Sequence, residues 1–221
     1  MAFESLSTNL AALRDRIARA GGDQNVRILP VTKGFGPDAI EAAIAAGCTS
    51  IGENYAQELL AKRSIAQAVE VHFIGQLQTN KVRQLAGLVQ VYETVDRSRL
   101  AREIARRAPG ANVLVQVDIN NEPGKGGCTF EQLDELTDEV VSLGLALRGL
   151  MTVGPTTGGP EAAREGFRRV RREVDQRGLE ICSMGMSADI EVAVQEGSTQ
   201  VRVGTALFGP RHVPLAPDQV R

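Results

Sequence analysis

The hydrophobic and polar positions of the chain first follow a helical period, and after that short apolar runs alternate with further helical patterns. Apolar residues recur at helical spacing over residues 4–20, charged residues fill the opposite face, and Gly21-Gly22 ends the pattern. Eight short apolar runs follow, and a helical pattern comes after each of the first seven. The runs span residues 28–32, 50–52, 71–74, 91–95, 113–119, 147–152, 181–184 and 201–203. This alternation predicts a parallel sheet with right-handed crossovers.

Eight strand–helix repeats indicate a (β/α)₈ barrel, also called a TIM barrel, a fold that fits a chain of 221 residues. A doubly wound α/β sheet is the alternative, but the first strand is followed by GFGPD instead of the nucleotide-binding pattern GxGxxG. No linker or change of composition divides the chain, and GPTTGGP (154–160) is interpreted as a long loop between a strand and a helix. The sequence therefore predicts a single α/β barrel domain over residues 1–221.

The composition of the chain argues against several classes of binding partner and indicates a cellular compartment. The net charge of −2 gives no basic surface for nucleic acid, and an aromatic content of 4% without tryptophan offers few platforms for base stacking. Cys48, Cys128 and Cys182 are far apart, and with the lone His72 and His212 they form no zinc-binding pattern. The chain shows neither an apolar leader nor an apolar run of about 18 residues. We therefore expect a soluble cytoplasmic protein with no membrane partner and no metal.

Lys33 follows the first predicted strand, within ILPVTKGFGPDAI (28–40). Lysine is rarely buried without a partner, so Lys33 either points outward or has a chemical role. Active sites of these barrels form at the carboxyl ends of the strands. A partly desolvated lysine there has a lowered pKa, and its neutral amine can attack a carbonyl group. Other polar residues at predicted strand ends are Glu53, Asn54, Gln76, Asp96, Asn120 and Asn121.

The ends of the last two strands match the usual phosphate site of such barrels. Ser187 is placed as the N-cap of the following helix, whose first amides would face an anion. Gly204 allows close approach of the backbone, and Thr205 adds a hydroxyl group. The structural alternative is that Ser187 only caps its helix and Gly204 only forms a turn. A nucleophilic lysine beside a phosphate site fits either a Schiff-base aldolase for sugar phosphates or a site for pyridoxal 5′-phosphate.

Arg202 lies between two valines in VRVG, inside a strand that should be buried. A guanidinium group in that place needs a partner. It either forms a structural ion pair with Glu53, Asp96 or Asp118, or donates hydrogen bonds to a ligand in the mouth of the barrel.

Five segments of the chain resemble one protein family. They are VTKG (31–34), IGENYAQE (51–58), HFIGQLQTNKVR (72–83), RGLMTVGP (148–155) and MGMSADIEVAVQEGSTQVRVGTALFGPR (184–211). The family is that of the pyridoxal phosphate homeostasis proteins, which have the fold of the N-terminal barrel of alanine racemase, fold type III of the pyridoxal phosphate proteins. The resemblance extends over nearly the whole chain in order, and the last segment is highly specific.

This resemblance implies a role for each candidate residue. Lys33 would hold pyridoxal 5′-phosphate as an internal aldimine, with Asn54 beside the ring and Arg202 near the pyridine nitrogen. The residues implied at the phosphate are Ser187, Gly204 and Thr205. Met184, Met186 and His72 are interpreted as structural more readily than as functional residues.

Two loops depart from the family's pattern, and their shapes are left open. GFGP (34–37) replaces the usual Thr-x-Pro, and PGKGGC (123–128) stands where Lys-Ser-Gly is usual.

The function implied by the resemblance is binding and delivery of the cofactor without strong catalysis. Alanine racemases use a second β-rich domain and dimerisation to supply an opposing tyrosine, and we expect this chain, with only Tyr55 and Tyr92, to lack that arrangement. An arginine near the ring nitrogen would also weaken the electron sink of the cofactor. We therefore expect a monomer that controls free pyridoxal phosphate, with pyridoxal phosphate-dependent apoenzymes as candidate recipients. A slow amino-acid racemase is the enzyme alternative, the aldolase ranks third, and a second cofactor site at Lys125 or another lysine is left open.

Overall fold

The eight apolar runs form eight parallel strands in a computed structural model that describes residue 3 and residues 5–122 and 124–210. The strands are β1 (Arg27–Pro30), β2 (Ser50–Glu53), β3 (Glu70–Phe73), β4 (Val91–Val95), β5 (Asn112–Val117), β6 (Ala146–Thr152), β7 (Ile181–Ser183) and β8 (Gln200–Val203). They are hydrogen-bonded in the order β1-β8-β7-β6-β5-β4-β3-β2, and a bridge between Val31 and Gly52 joins β1 to β2. The predicted (β/α)₈ barrel is confirmed, and the strand ends differ from the sequence pattern by a residue or two.

Helices surround this barrel on the outside. They are α1 (Leu6–Arg19), α2 (Pro37–Ala45), α3 (Ala56–Ala61), α4 (Arg63–Ala66), α5 (Val82–Leu85), α6 (Ser98–Arg107), α7 (Phe130–Ser142), α8 (Arg164–Gln176), α9 (Ile190–Gln195) and α10 (Thr205–Phe208). Short 3-10 turns at Thr79–Lys81 and Pro160–Ala163 precede α5 and α8. Within the described part of the chain, no helix is both long and apolar enough to span a bilayer.

Two helical segments differ from the sequence pattern. The sequence between the second and third apolar runs, NYAQELLAKRSIAQAV (54–69), predicts one helix, but the structure breaks it at Lys62, which ends α3 and precedes α4. Its backbone leaves the helical region there, while its side chain binds buried groups of β1 and β2. The helix α10 after β8 was not predicted, because four residues are too few to show a helical period.

The main apolar core lies between the barrel wall and the helices, and a small apolar cluster of Val91, Leu114 and Met151 lies apart from it. The interior of the barrel is otherwise strongly polar. Glu93 on β4 accepts hydrogen bonds from Ser183 on β7 and Gln200 on β8. Because β4 is a neighbour of neither β7 nor β8, the three side chains meet inside the barrel.

Candidate functional site

The carboxyl ends of β1 and β2 place Lys33 next to Asn54. Val31 is bridged to Gly52, and Lys33 and Asn54 each lie two residues beyond that bridge on their own strands. The loop that starts at Gly204 flanks β1 on its other side, since β1 pairs with β8. Three of the six predicted site residues therefore come from adjacent positions around the barrel mouth.

Lys33 is half-buried, and a tight loop follows it. Gly34 has a φ of 74°, which favours glycine, and Pro37 begins α2. The ring of Phe35 packs against Phe3 and Phe208, with ring centroids 5.7 and 5.3 Å away. The GFGP loop left open by the sequence thus turns sharply and ties the end of β1 to α10.

Asn54 presents a buried acceptor toward the mouth. Its Oδ1 is buried and has no hydrogen-bond partner among the described residues. Buried polar atoms are rarely left without a partner, so this oxygen is suited to accept a hydrogen bond from a ligand. The backbone of Gly75, just after β3, packs against the backbone of Asn54. A Cβ atom at position 75 would lie 2.0 Å from the carbonyl oxygen of Asn54, so this contact fixes the position of Asn54.

Ser187 is not the N-cap of the helix after β7, so that prediction was wrong. The N-cap of α9 is Asp189, whose Oδ1 accepts a hydrogen bond of 2.6 Å from the backbone N–H of Met186. This hydrogen bond closes the turn in front of the helix. Ser187 lies two residues before the N-cap and is half-buried, and its carbonyl oxygen accepts a hydrogen bond of 3.3 Å from Arg16. Its position in the loop after β7 remains as predicted.

The loops after β7 and β8 lie side by side. The backbone N–H of Arg202 donates to the carbonyl of Gly185 at 3.0 Å. Gly204 is half-buried, and a Cβ atom at this position would lie 3.2 Å from the carbonyl oxygen of Val31. Thr205 is exposed and begins α10. The absence of a side chain at Gly204 thus brings the backbone of this loop close to β1.

Arg202 enters the barrel, with only 4% of the residue exposed. Its Nη1 donates to the carbonyl and hydroxyl oxygens of Ser183 at 2.7 and 2.8 Å, and Nη2 donates to the carbonyl of Thr152 at 2.6 Å. Burial lowers the pKa of Arg202, while the negative charges of Glu93 and Asp189 act in the opposite direction.

The ion-pair partners considered for Arg202 from the sequence were wrong. The acid bonded to the same Ser183 hydroxyl is Glu93, at 2.7 Å, and the hydrogen bonds of Glu53, Asp96 and Asp118 go to other residues. Glu93 lies inside β4 and not at a strand end, so the search for strand-end residues missed it.

His72 lies inside β3 and joins this charged interior. Its Nδ1 is 2.5 Å from Glu93 Oε1, and its Nε2 is 2.8 Å from Glu70 Oε1. Burial by itself lowers the pKa of His72, but the two carboxylates outweigh it and raise the pKa to about 9. Burial would raise the pKa of Glu93, yet the hydrogen bond and charge of His72 hold it below its usual range. A protonated imidazole therefore lies between two carboxylates.

A network of hydrogen bonds around the Lys62 ammonium group lies behind the barrel wall. We call it the Lys62 cluster, and its members are Thr32, Gly34, Glu53, Glu58 and Lys62. The Lys62 Nζ donates to Glu53 Oε1 at 2.7 Å, to Glu58 Oε1 at 2.5 Å and to the Thr32 carbonyl at 2.9 Å. Burial raises the pKa of Glu53, and the charge of Lys62 opposes this shift. Glu53 lies at the end of β2, as the sequence indicates, but its side chain faces the helices and not the barrel mouth.

Lys62 was missed because the search considered only strand ends. The signal available in the sequence is its spacing. Lys62 lies three residues after the buried Leu59 and four after Glu58, so all three share one face of the helix.

A cavity of about 180 Å³ opens at the carboxyl end of the barrel. Its lining includes Asn54, Gln76, Gln116, Asp118, Lys125 and Met151. Lys125 lies at its edge, where Nζ donates to the Gly154 carbonyl at 2.8 Å and pairs with Glu122 at 2.8 Å. Apart from Pro123, the PGKGGC loop therefore folds over the mouth. 

The other residues singled out from the sequence take varied positions. Met184 is buried in the core, whereas Met186 is exposed. Cys48, Cys128 and Cys182 are free thiols, and His212 lies outside the described residues.

Residues 3–212 match the family model of the alanine racemase N-terminal domain. The pyridoxal phosphate homeostasis protein of Aquifex aeolicus is 40% identical, in an alignment that covers 95% of this chain and 98% of that protein. Among solved structures, an unknown protein from Bifidobacterium adolescentis matches with a TM-score of 0.85 and 35% identity, over 92% of this chain and 94% of that chain. PipY from Synechococcus elongatus, solved with pyridoxal phosphate bound, matches with a TM-score of 0.79 and 30% identity, over 92% of this chain and 100% of PipY. The chain therefore belongs to the pyridoxal phosphate homeostasis proteins, within the alanine racemase N-terminal domain family.

Proposed function

We propose that this protein binds pyridoxal 5′-phosphate and holds it as an aldimine on Lys33. The observation that carries the proposal is the position of Lys33, half-buried in the barrel mouth between Asn54 and the loop at Gly204. PipY, whose fold this chain shares, has been solved with this cofactor bound. An aldimine requires an amine near the aldehyde carbon and a means to hold the phosphate ester, and the mouth offers candidates for both.

The residues around the mouth fit the cofactor on independent grounds. The Asn54 Oδ1 is a buried acceptor with no donor in the part of the chain that the structure describes, so a polar group on the ring can satisfy it. The missing side chain of Gly204 leaves the backbone of the β8 loop open to an anion beside β1. Ser187 lies in the adjacent loop and Thr205 is exposed, so both hydroxyl groups can donate to the same phosphate.

Arg202 supplies a fixed positive charge below the mouth. We infer that it faces the pyridine nitrogen and disfavours protonation there, because two positive charges repel each other. When bound, pyridoxal phosphate supplies an electron sink for amino-acid chemistry, and a deprotonated ring nitrogen makes that sink weaker. The buried hydrogen bonds of Arg202 to Ser183 and Thr152 keep the guanidinium in place.

We infer a carrier function that limits free cofactor and delivers it to apoenzymes, without strong catalysis. The relatives that are 40% and 38% identical to this chain are named as homeostasis proteins. The two tyrosines are poor candidates for an acid–base group, since Tyr92 is buried in the core outside the barrel and Tyr55 lies at the start of α3. These placements support binding over racemase chemistry.

We also propose that the protein is a cytoplasmic monomer. The only exposed large apolar side chains among the described residues are Val141 and Met186, too few to form the apolar surface of an obligate dimer. Three free thiols, two of them buried, are typical of proteins in a reducing compartment.

The experiment that tests the cofactor site is reductive trapping. The chain has four lysines, Lys33, Lys62, Lys81 and Lys125, so peptide mapping after borohydride reduction can assign the pyridoxyl group without ambiguity. We expect the adduct on Lys33, and Lys33→Ala should lose the yellow absorbance while keeping its circular dichroism. Lys81→Ala is the matched control. An adduct mainly on Lys81 or Lys125 would contradict the assignment.

A further inference from the structure

Both chain neighbours of Lys33 are held by the Lys62 cluster. On one side, the carbonyl of Thr32 accepts a hydrogen bond of 2.9 Å from Lys62 Nζ. On the other side, the backbone N–H of Gly34 donates to Glu58 Oε1 at 2.7 Å. Lys62 and Glu58 are in turn joined at 2.5 Å. A continuous path of hydrogen bonds therefore runs around the backbone of Lys33, from the residue before it to the residue after it.

The same cluster joins the ends of β1 and β2, the two strands at which the hydrogen-bonded strand order ends. The backbone contacts here are the Val31–Gly52 bridge and a bond of 3.0 Å from the Thr32 N–H to the Gly52 carbonyl. The Thr32 hydroxyl adds a bond of 2.6 Å to Glu53 Oε1, which also accepts from Lys62. Lys33 thus directly follows the contact between β1 and β2, which the side chains of the Lys62 cluster strengthen.

Lys62 is unsuited to react with a carbonyl compound itself. Its side chain is only 4% exposed, and its ammonium group has three N–H donors. The three partners Thr32, Glu53 and Glu58 occupy all of them. The cluster thus separates a structural lysine, enclosed by its three protein partners, from the candidate reactive one.

We infer that Lys62 is a positioning residue: its ammonium group, through Thr32 and Glu58, fixes the backbone at Lys33 so that the Lys33 amine meets the cofactor's aldehyde. The inference rests on the proposed function, because it concerns how the chain prepares the amine that holds pyridoxal phosphate. In the reaction Lys33 Nζ forms a C=N bond with the aldehyde carbon, and the two amine hydrogens leave with the carbonyl oxygen as water. Formation of this bond depends on a near-attack geometry that small displacements disturb.

The test compares two ligands on matched variants. Pyridoxal phosphate can form the C=N bond, whereas pyridoxine 5′-phosphate lacks the aldehyde and reports only the non-covalent contacts. The double variant Lys62→Met/Glu53→Gln removes one cation and one carboxylate, so the net charge of the cluster is unchanged. Glu58→Ala removes the Gly34 contact but leaves the Lys62–Glu53 pair. Lys81→Met serves as the control, since Lys81 lies outside the cluster.

We expect both cluster variants to slow cyanoborohydride trapping at Lys33 by about tenfold, with little change in the affinity for pyridoxine phosphate. Glu58→Ala should also speed hydrogen exchange at the Gly34 amide in the absence of any cofactor. Unchanged trapping in folded variants would overturn the positioning role. So would a parallel loss of affinity for both ligands, which would indicate general damage to the site. If the double variant does not fold, Glu58→Ala alone decides between these outcomes.

Failure of the proposed function is recognised separately, in the wild-type protein. If wild-type Lys33 is not trapped by pyridoxal phosphate, the proposed function and this role of Lys62 are both overturned before any variant is compared. If wild-type Lys33 is trapped and the variants react equally fast, only the role of Lys62 is overturned.

Discussion

His72 and Glu93 form an ion pair inside the barrel, with His72 Nδ1 2.5 Å from Glu93 Oε1 and both side chains fully buried. The pair lies below Arg202, since Ser183 donates its hydroxyl hydrogen to Glu93 and accepts a bond from Arg202. Positive and negative side chains therefore alternate from the mouth into the barrel, in the order Arg202, Glu93 and His72. Each of these buried charges is balanced by the opposite charge of its neighbour.

The first prediction is a pH dependence of stability from His72. Its folded-state pKa of about 9 lies above its ordinary value of 6.5. The stabilisation is thus fully present below pH 6.5 and is lost as the pH rises through about 9. The pKa of Glu93 is lowered, so its stabilisation is present above the ordinary glutamate range and is lost under acid conditions. Urea unfolding measures the stability, from pH 5 to 10 for the contribution of His72 and below pH 4.5 for that of Glu93.

His72→Gln isolates this contribution, because glutamine keeps a donor but cannot carry a charge. The stability difference between wild type and variant should be at most about 3 kcal/mol near pH 6 and should shrink toward pH 10. A difference that does not vary with pH would show that folding does not shift the pKa of His72.

The second prediction concerns truncation of Arg202. Arg202→Ala leaves the carbonyls of Ser183 and Thr152 without this donor and removes the positive charge near Glu93. It should destabilise the protein by about 3–5 kcal/mol. Arg202→Lys keeps the charge but not the forked geometry, and should cost less. Arg102→Ala is the control, because the exposed pair of Arg102 with Glu139 contributes at most about 1 kcal/mol. Denaturant midpoints measure all three, and equal losses for Arg202→Ala and Arg102→Ala would contradict the buried network.

The third prediction separates the phosphate contacts from the rest of the site. Charge-assisted hydrogen bonds contribute roughly 1.5–3 kcal/mol each, so pyridoxal should bind at least about tenfold more weakly than pyridoxal phosphate. Thr205→Val keeps the shape of the side chain and removes its hydroxyl group. It should weaken binding of the phosphate ester and leave the affinity for pyridoxal unchanged, as measured by absorbance titration. Equal affinities of the wild type for the two ligands would rule out this phosphate site.

The fourth prediction tests the close approach of β3 to Asn54. In Gly75→Ala, the new Cβ would lie 2.0 Å from the Asn54 carbonyl oxygen, a backbone atom that cannot turn aside. We expect a loss of more than about 2 kcal/mol in the free energy of unfolding, together with weaker cofactor binding. Gly36→Ala is the control, since its Cβ meets only the flexible end of Asp38. Similar thermal unfolding of the two variants would contradict this account.

The fifth prediction concerns activity and assembly. Light scattering should give the mass of one chain, and a chiral assay over the common amino acids should detect no steady racemisation. Steady turnover of alanine would instead favour the racemase alternative, and a stable dimer would contradict the argument from Val141 and Met186.

The sequence predicts the barrel well because each strand and helix carries its own local period. It predicts the positions of Lys33, Asn54 and Gly204 at strand ends for the same reason. It does not predict which way Glu53 faces, because a shift of one residue at a strand end moves a side chain to the other face of the wall. Contacts such as Glu93 with Ser183 join positions 90 apart in the chain and leave no local pattern.

The N-cap of α9 is a second feature that the sequence does not predict. Ser187 and Asp189 are both good N-cap residues, so the local sequence does not decide between them. The structure favours Asp189, whose carboxylate also closes the turn at Met186. Tertiary contacts decide such cases.

The Lys62 cluster has a consequence for sequence variation. Loss of Lys62 alone would leave the buried Glu53 and the half-buried Glu58 without the cation that they share. Loss of Glu53 alone would remove a partner of both Lys62 and Thr32. Each single change is costly, whereas a joint change can preserve the balance of charge. These positions are therefore epistatic, and we expect them to covary among homologues, with a chain that lacks the lysine also lacking one of the two acids.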